Sequence, residues 1–416
     1  MGMKGRILAV SAGAAIVASV AVTAASGAPR LDPGVTSSTI TIGGTFPLTG
    51  VASLYKTIPA AEKAYFDYVN DHGGVHGRKI NFTILDDAYD PSKTVPLTQE
   101  LVEKDKVFAD YGSLGTASNL SVWGYLNGKH VPQVGIATGD SYWGFSAKKY
   151  PWTVGFQPDY PGEGKIYGKY IAASMPNAKI GVLYQNDAFG KNYYAGLRVG
   201  LGAKKGNVVS AQSYDVTQAS LAQQILTLKA AGADTFVIFA TPTAAITALV
   251  TATKVGWAPT ATFLGNVSAN RLFLLAAAGL GANVNGVISS TYLLSSSNTA
   301  DAGKTGVKFG AAILSQYAPS LSPSYARGDG NVMFGLANAW MFVNALQRAG
   351  TTPTRLGLMK AYKSLNTGKD PFVYTGIKLQ TSAKDNFPIE QEILIKWSGG
   401  ATGDWATFGK LYNNVR

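Results

Sequence analysis

The stretch VNDHGGVHGRKINFTILDDAYDPS, residues 69–92, decides how the rest of the chain is read. It crowds two histidines, four aspartates and a basic pair into a short space, which suggests a site of chemistry. The order of its residues argues for a joint instead. Upstream, Ile58, Ala61, Tyr65, Tyr68 and Val69 recur at helical spacing, and Gly73-Gly74 stop that helix where a left-handed cap is needed. KINFTIL (79–85) reads as a strand, and Ser92 can cap a further helix reaching about Asp105. His72 and His76 have the spacing that puts two imidazoles on one helix face around zinc, but the glycines between them break the helix and no HExxH glutamate is present. Asp86, Asp87 and Asp90 lack the glycine and closing glutamate of an EF-hand loop, and are expected to form a turn and cap a helix.

The alternation continues outward in both directions. TITIGGTFPLTG (39–50) is a strand running into a Gly/Pro loop, and VFADYG (107–112) is a strand. Helices are expected over 116–127, 159–174, 189–203, 218–231, 242–254 and 268–278, with strands over 132–136, 179–184, 207–214, 234–239 and 261–264. Such regular alternation predicts an α/β architecture, with doubly wound parallel sheets covered by helices on both faces. A chain of 416 residues exceeds one ordinary core, so two lobes are expected. The pattern breaks at YPWTVGFQPDYPGEG (150–164), at a Ser/Thr/Gly-rich segment (286–306) and at DPFVYTGIKLQTS (370–382), with long helices near 305–318, 328–349 and 353–365. Three crossings imply discontinuous lobes, 39–155 with 290–373 and 156–289 with 374–416.

Composition narrows the function. Hydrophobic residues make up 46% and charged residues 14%, which excludes a largely disordered chain. The formal charge of +12 comes from dispersed Lys and Arg, with no basic helix interleaved with aromatics, so nucleic acid is not an expected partner. At the N-terminus, Lys4 and Arg6 precede an apolar run from Ile7 to Ala25 and small residues suited to cleavage near Ala25 or Ala28, a signal peptide over 1–28. An uncleaved anchor is the alternative. The exported protein is expected in the periplasm, at the cell surface or outside the cell. With no cysteine it has no disulfide, no thiol nucleophile and no lipid-bearing cysteine, so it is not a cysteine-anchored lipoprotein.

Catalytic motifs are weak. The GKT at 303–305 is no phosphate loop, because the first glycine of that motif would fall on Asn298. SAKK (146–149) fits S-x-x-K and KTG (304–306) is present, as in serine β-lactamases, but no Ser-Asp-Asn lies between them and the parallel pattern does not suit such an enzyme. No GxSxG elbow occurs and the chain has three histidines, so no enzyme is expected, and no cofactor or metal. What remains are Gly/Ser/Thr-rich loops after strands: GTFPLTG (44–50), GSLGTASN (112–119), GIATGD (135–140) and FATPT (239–243). In open α/β sheets ligands bind just outside those strand ends, and free amides at a following helix start favour an anion.

ITIGGTFPLTG, GGVHGRKINFTILDDAYDPSKT, LVEKDKVFADYG and PQVGIATGD, followed later by KIGVLYQNDAFGK and DTFVIFA, resemble the leucine/isoleucine/valine-binding-protein-like family of ABC-importer receptors, of the periplasmic-binding-protein type I fold. The likeness covers about 39–400. It implies two lobes that close by hinge motion on a small ligand and present it to a membrane permease, the chain acting as a monomer. By family pattern the ligand is walled by Tyr55 and met on the first lobe by Gly115, Thr116 and Ala117, whose loop binds its carboxylate through amides and hydroxyls, with Ala137 and Thr138 supplied by the next strand end. On the second lobe the pattern gives Phe189, Thr241 to Thr243 and Asn266. Amino-acid-binding members commonly carry an acid where this chain reads Gly265-Asn266-Val267-Ser268, so an amide, a hydroxy acid or an aromatic acid competes with a branched-chain amino acid. A sensory ligand-binding protein of the same fold is the alternative to a transport receptor.

Overall fold

A computed structural model of the chain describes residues 1–3, 31–145, 148–382 and 385–413. The expected signal segment from Lys4 on, and Ser146 of the S-x-x-K match, lie outside the described residues. The chain divides into Met1–Leu31 and a compact unit, Asp32–Arg416. Among the described residues, no helix is long and apolar enough to cross a membrane.

The first half of the compact unit runs β1 (Thr39–Phe46), α1 (Thr57–Asp71), β2 (Lys79–Asp86), α2 (Pro91–Gln99), β3 (Asp110–Tyr111), α3 (Thr116–Gly128), β4 (Gln133–Ile136), α4 (Tyr142–Phe145) and β5 (Thr153–Gly155). Then come α5 (Tyr160–Ser174), β6 (Ile180–Gln185), α6 (Ala188–Leu201), β7 (Val208–Tyr214), α7 (Ala222–Ala230), β8 (Thr235–Phe239), α8 (Pro242–Lys254), β9 (Ala261–Leu264), α9 (Arg271–Gly279) and β10 (Ile288–Thr291). Three helices and a short one follow, α10 (Thr305–Tyr317), α11 (Ser322–Ala326), α12 (Gly330–Arg348) and α13 (Arg355–Tyr362), before β11 (Asn366–Thr367), β12 (Leu379–Gln380), β13 (Gln391–Ser398) and β14 (Asp404–Asn413).

The first sheet has the order β2-β1-β3-β4-β5, all parallel. The second has the order β14-β13-β10-β9-β8-β6-β7. In β8, Phe236 and Ile238 pack into a core shared with α7, α8 and α9, while Val237 and Phe239 pack into one shared with α5 and α6. Alternate side chains of one strand thus feed two helical layers, as parallel sheets buried on both faces require. Helices α5 and α6 approach unusually closely. A Cβ added at Gly164 would lie 2.3 Å from the Tyr193 carbonyl, and one at Gly196 would lie 2.1 Å from the Pro161 carbonyl. Only glycine fits at that crossing.

Two features differ from the sequence-based expectations. The second sheet is not wholly parallel, since β13 pairs antiparallel with β10 and β14 antiparallel with β13. This hairpin spans IEQEILIKWSGGATGDWATFGKLY (389–412), where hydrophobic alternation on each side of a Gly-rich turn makes an edge ribbon. The cap of α2 is Asp90, whose Oδ1 accepts from the Ser92 amide at 2.9 Å, and Pro91 begins the helix. The helix ends at Gln99 and continues as a π-turn over Glu100–Lys104.

Candidate ligand-binding site

Three turns of the first lobe converge beside the end of β1. A 3-10 turn, Gly50–Tyr55, carries Tyr55, whose hydroxyl donates to the Val267 carbonyl at 3.1 Å. The Asp-rich turn after β2 is held by its own carboxylates. Asp86 Oδ1 accepts from the amides of Leu48 (3.0 Å) and Ala88 (3.0 Å), and Asp87 Oδ1 accepts from the Tyr89 amide (2.9 Å). These bonds hold Ala88 (φ 54°) and Tyr89 (φ 64°) in the left-handed region, which side chains other than glycine seldom adopt. The result is to lay the Tyr89 ring against Gly115, where an added Cβ would stand 2.8 Å from Tyr89 Cε2.

Gly115, at φ 108°, is the N-cap of α3 and supplies no side chain to cap it. First-turn amides of a helix have no acceptor within the helix, so the start of α3 favours an anion. The Thr116 and Thr138 hydroxyls, both buried, meet each other at 2.6 Å, and Thr138 also meets the Tyr160 phenol.

The second lobe faces this with rings and with a buried acid. Phe189 packs edge-on to Tyr160 at 5.1 Å, and Tyr160 stacks on Tyr193 at 4.5 Å. Glu163, on α5, accepts from the Tyr167 hydroxyl (2.6 Å), the Tyr193 hydroxyl (2.5 Å) and the Asn266 amide (2.7 Å). Burial pushes its pKa up to about 7. The Asn266 side chain is itself engaged, donating to the Ser290 carbonyl at 2.5 Å.

Between these walls lies a cavity in which water-sized groups can be centred over about 140 Å³. Of the residues expected at a site, Tyr55, Gly115, Ala137, Phe189, Thr241 and Asn266 line it. Thr116 and Thr138 stand behind the wall with their hydroxyls paired, and Ala117 is half-buried outside the lining. Thr243 is exposed and outside the lining; its hydroxyl donates to the Val51 carbonyl at 3.0 Å and ties α8 to the turn before α1. Sequence reasoning missed Tyr89, Gln157, Tyr160, Tyr292, Asn331 and Phe334, which also line the cavity. The signal for Tyr89 was its place in an Asx-rich turn after a strand; the others come from the crossover segments and the start of α12, which strand-end reasoning does not reach.

The remaining motifs have structural partners. His72 Nδ1 lies 2.8 Å from the Tyr68 carbonyl and His76 Nε2 2.9 Å from the Gln347 carbonyl. Lys304 is the N-cap of α10, which begins at Thr305, so KTG opens a helix rather than lying on an antiparallel strand. Among the described residues, no group of three or more His, Asp or Glu is placed to hold a metal ion.

Residues 39–401 match the sequence pattern of the family described as periplasmic binding protein. The chain belongs to the periplasmic binding protein family. Its α/β architecture, with parallel-sheet lobes, is the type I fold of periplasmic binding proteins. It is 25% identical over 199 residues to Leu/Ile/Val-binding protein homolog 3 of Brucella melitensis, a match covering 47% of this chain and 52% of the relative, so it spans about half the length of that protein. A branched-chain amino acid ABC transporter protein from Thermus thermophilus, solved with bound valine, shares the fold with a TM-score of 0.78 at 16% identity, covering 91% of this periplasmic binding protein and 97% of that one. A fatty acid ABC transporter substrate-binding protein from Thermomonospora curvata does so with a TM-score of 0.77 at 21% identity, covering 92% and 95%.

Proposed function

We propose that this periplasmic binding protein is the extracytoplasmic receptor of an ABC importer, capturing a small carboxylate-bearing metabolite between two lobes, 39–155 with 290–373 and 156–289 with 374–416, and delivering it to a membrane permease. The observation that carries the reading is the cavity enclosed by strand-end loops of both sheets, with Gly115, the N-cap of α3, in its wall. The carboxylate is met by main-chain amides of α3 rather than by the Thr116 and Thr138 hydroxyls. Rings at Tyr55, Tyr89 and Phe189 hold the rest of the molecule. Bonds across the cleft, such as Tyr55 to Val267 and Asn192 Nδ2 to Asp140 Oδ2 at 2.8 Å, stabilise the closed arrangement.

The test joins a thermal-shift screen of amino acids, amides and small carboxylic acids to X-ray scattering. A ligand at about 100-fold over its dissociation constant stabilises the native state by roughly 2.7 kcal/mol, and closure shrinks the radius of gyration. A screen in which no acid shifts the transition, or a ligand that binds without any compaction, would defeat the proposal.

A further inference from the structure

We infer that the ligand is a carboxylic acid without an α-ammonium group, and that its apolar body is longer than a branched-chain side chain. This rests on the receptor reading above and sharpens it. An ammonium taken out of water needs an anion or several acceptors beside it. The charged residues in the cavity wall are Arg271, Asp301 and Asp329. Asp301 pairs with Lys304 at 2.6 Å and accepts from the Ser295 amide at 3.0 Å. Asp329 Oδ1 caps α12 through the Asn331 amide at 3.1 Å and accepts from Asn270 Nδ2 at 2.7 Å. Behind Asn266 stands Glu163, but it is outside the lining and is engaged by two phenols and a main-chain amide. Tyr55, Tyr89, Gly115 and Phe189, the wall residues named for the carboxylate end, are themselves uncharged.

The cavity does not stop at the size of such an amino acid. Its wall also includes Tyr292, Leu294, Met333 and Phe334 of α12, and Trp405 of β14. The floor there is Arg271, and its guanidinium is already bound by the Gly403 carbonyl (3.0 Å), the Arg327 carbonyl (2.8 Å) and Asp404 (3.2 Å). A neutralised cation closes the chamber without inviting a second anion. The chemistry that matches is one carboxylate at the start of α3 and an aliphatic or aromatic chain lying past Tyr292 toward Trp405.

Calorimetry on the whole chain with matched acids tests this. Leucine and 4-methylpentanoate share a carbon skeleton and differ by the ammonium, while butanoate, octanoate and 4-phenylbutanoate differ in length. We expect 4-methylpentanoate to bind at least tenfold more tightly than leucine, and octanoate to exceed butanoate by roughly fourfold for each further methylene that enters the chamber. Met333→Trp, which fills the chamber, should shrink the octanoate-to-butanoate ratio at least tenfold; Leu294→Phe serves the same purpose should the tryptophan not fold. Leucine binding as tightly as 4-methylpentanoate, or losing affinity on Asp329→Asn, overturns the inference and leaves the receptor reading standing. Equal affinities for butanoate and octanoate overturn the extended chamber. Compaction and stabilisation by a ligand that is not an acid overturn both the inference and the carboxylate in the receptor reading.

Discussion

The loop between β3 and α3 and the loop between β9 and α9 hold corresponding places, one at a carboxyl strand end of each sheet, yet they are fixed by opposite means. In the first, the main chain does the shaping. Gly115 takes φ 108°, and Asn119 Nδ2, on the first turn of α3, donates to the Ser113 and Gly115 carbonyls, both at 2.9 Å. No side chain is spent on the helix start. In the second, a carboxylate reaches up from α5 to hold the Asn266 amide, and the Ser268 hydroxyl donates to the Ala240 carbonyl at 2.6 Å. The first loop keeps donors available to a guest, whereas the second satisfies its donors within the protein. The receptor reading proposed above therefore assigns binding chemistry to the first loop, and fold stability to the second.

The largest test of that contrast is Glu163. Glu163→Leu leaves the Tyr193 phenol and the Asn266 amide buried without an acceptor, at a cost of about 1 to 3 kcal/mol for each such group. We expect about 3 kcal/mol of lost stability in urea unfolding; a loss below 1 kcal/mol would mean that the loop is held by other contacts. Glu163→Gln separates charge from bonding. Burial raises the folded-state pKa from 4.5 to about 7, so the folded protein keeps a proton that the unfolded chain has lost over that interval. The stability linked to this proton is present below about 4.5 and is lost as pH rises through about 7. Other buried acids, Asp110 among them, slope the same way, so the difference between parent and Glu163→Gln is what isolates this group. The parent should lose more stability than the variant between pH 5 and pH 8; parallel melting curves would place the proton elsewhere.

Gly115→Ala probes the first loop. The substitution puts a Cβ at φ 108° and 2.8 Å from the Tyr89 ring, which must give way. Backbone strain of this kind costs about 1 to 3 kcal/mol. We expect a stability loss near the middle of that range together with a weaker thermal response to a bound acid. An unchanged response despite the lost stability would move the anion site away from the start of α3.

Much of this was legible in the sequence because parallel α/β units announce themselves twice, by apolar periodicity and by Gly or Pro at each change of direction. Helix α8 falls on 242–254 and β9 on 261–264, as their patterns imply. The edge hairpin was less legible, since β14 is exposed along much of its length and its alternation is broken by a register shift opposite Ile393 and Leu394. The site was legible as loops but not as side chains. Tyr89 reaches the cavity only because two aspartates hold a left-handed turn, and Tyr292 and Phe334 arrive from segments more than two hundred residues away in sequence from Tyr55. No local pattern encodes which of those residues will meet.

Thr116 gives the smallest and most discriminating effect. Its position at the first turn of α3 makes its hydroxyl an obvious anion ligand, but the hydroxyl lies 2.6 Å from that of Thr138, both are buried, and neither residue lines the cavity. Thr116→Val removes one member of this pair while Thr138 keeps the Tyr160 phenol. The loss is one buried hydrogen bond, about 1 kcal/mol of stability, with the amide of residue 116 untouched. If the main chain holds the carboxylate, the affinity for an acid changes by less than about 0.5 kcal/mol, within the ordinary effect of a substitution away from the contact. A tenfold loss by calorimetry would show instead that the hydroxyl turns toward the ligand, making the first loop depend on side chains as the second does.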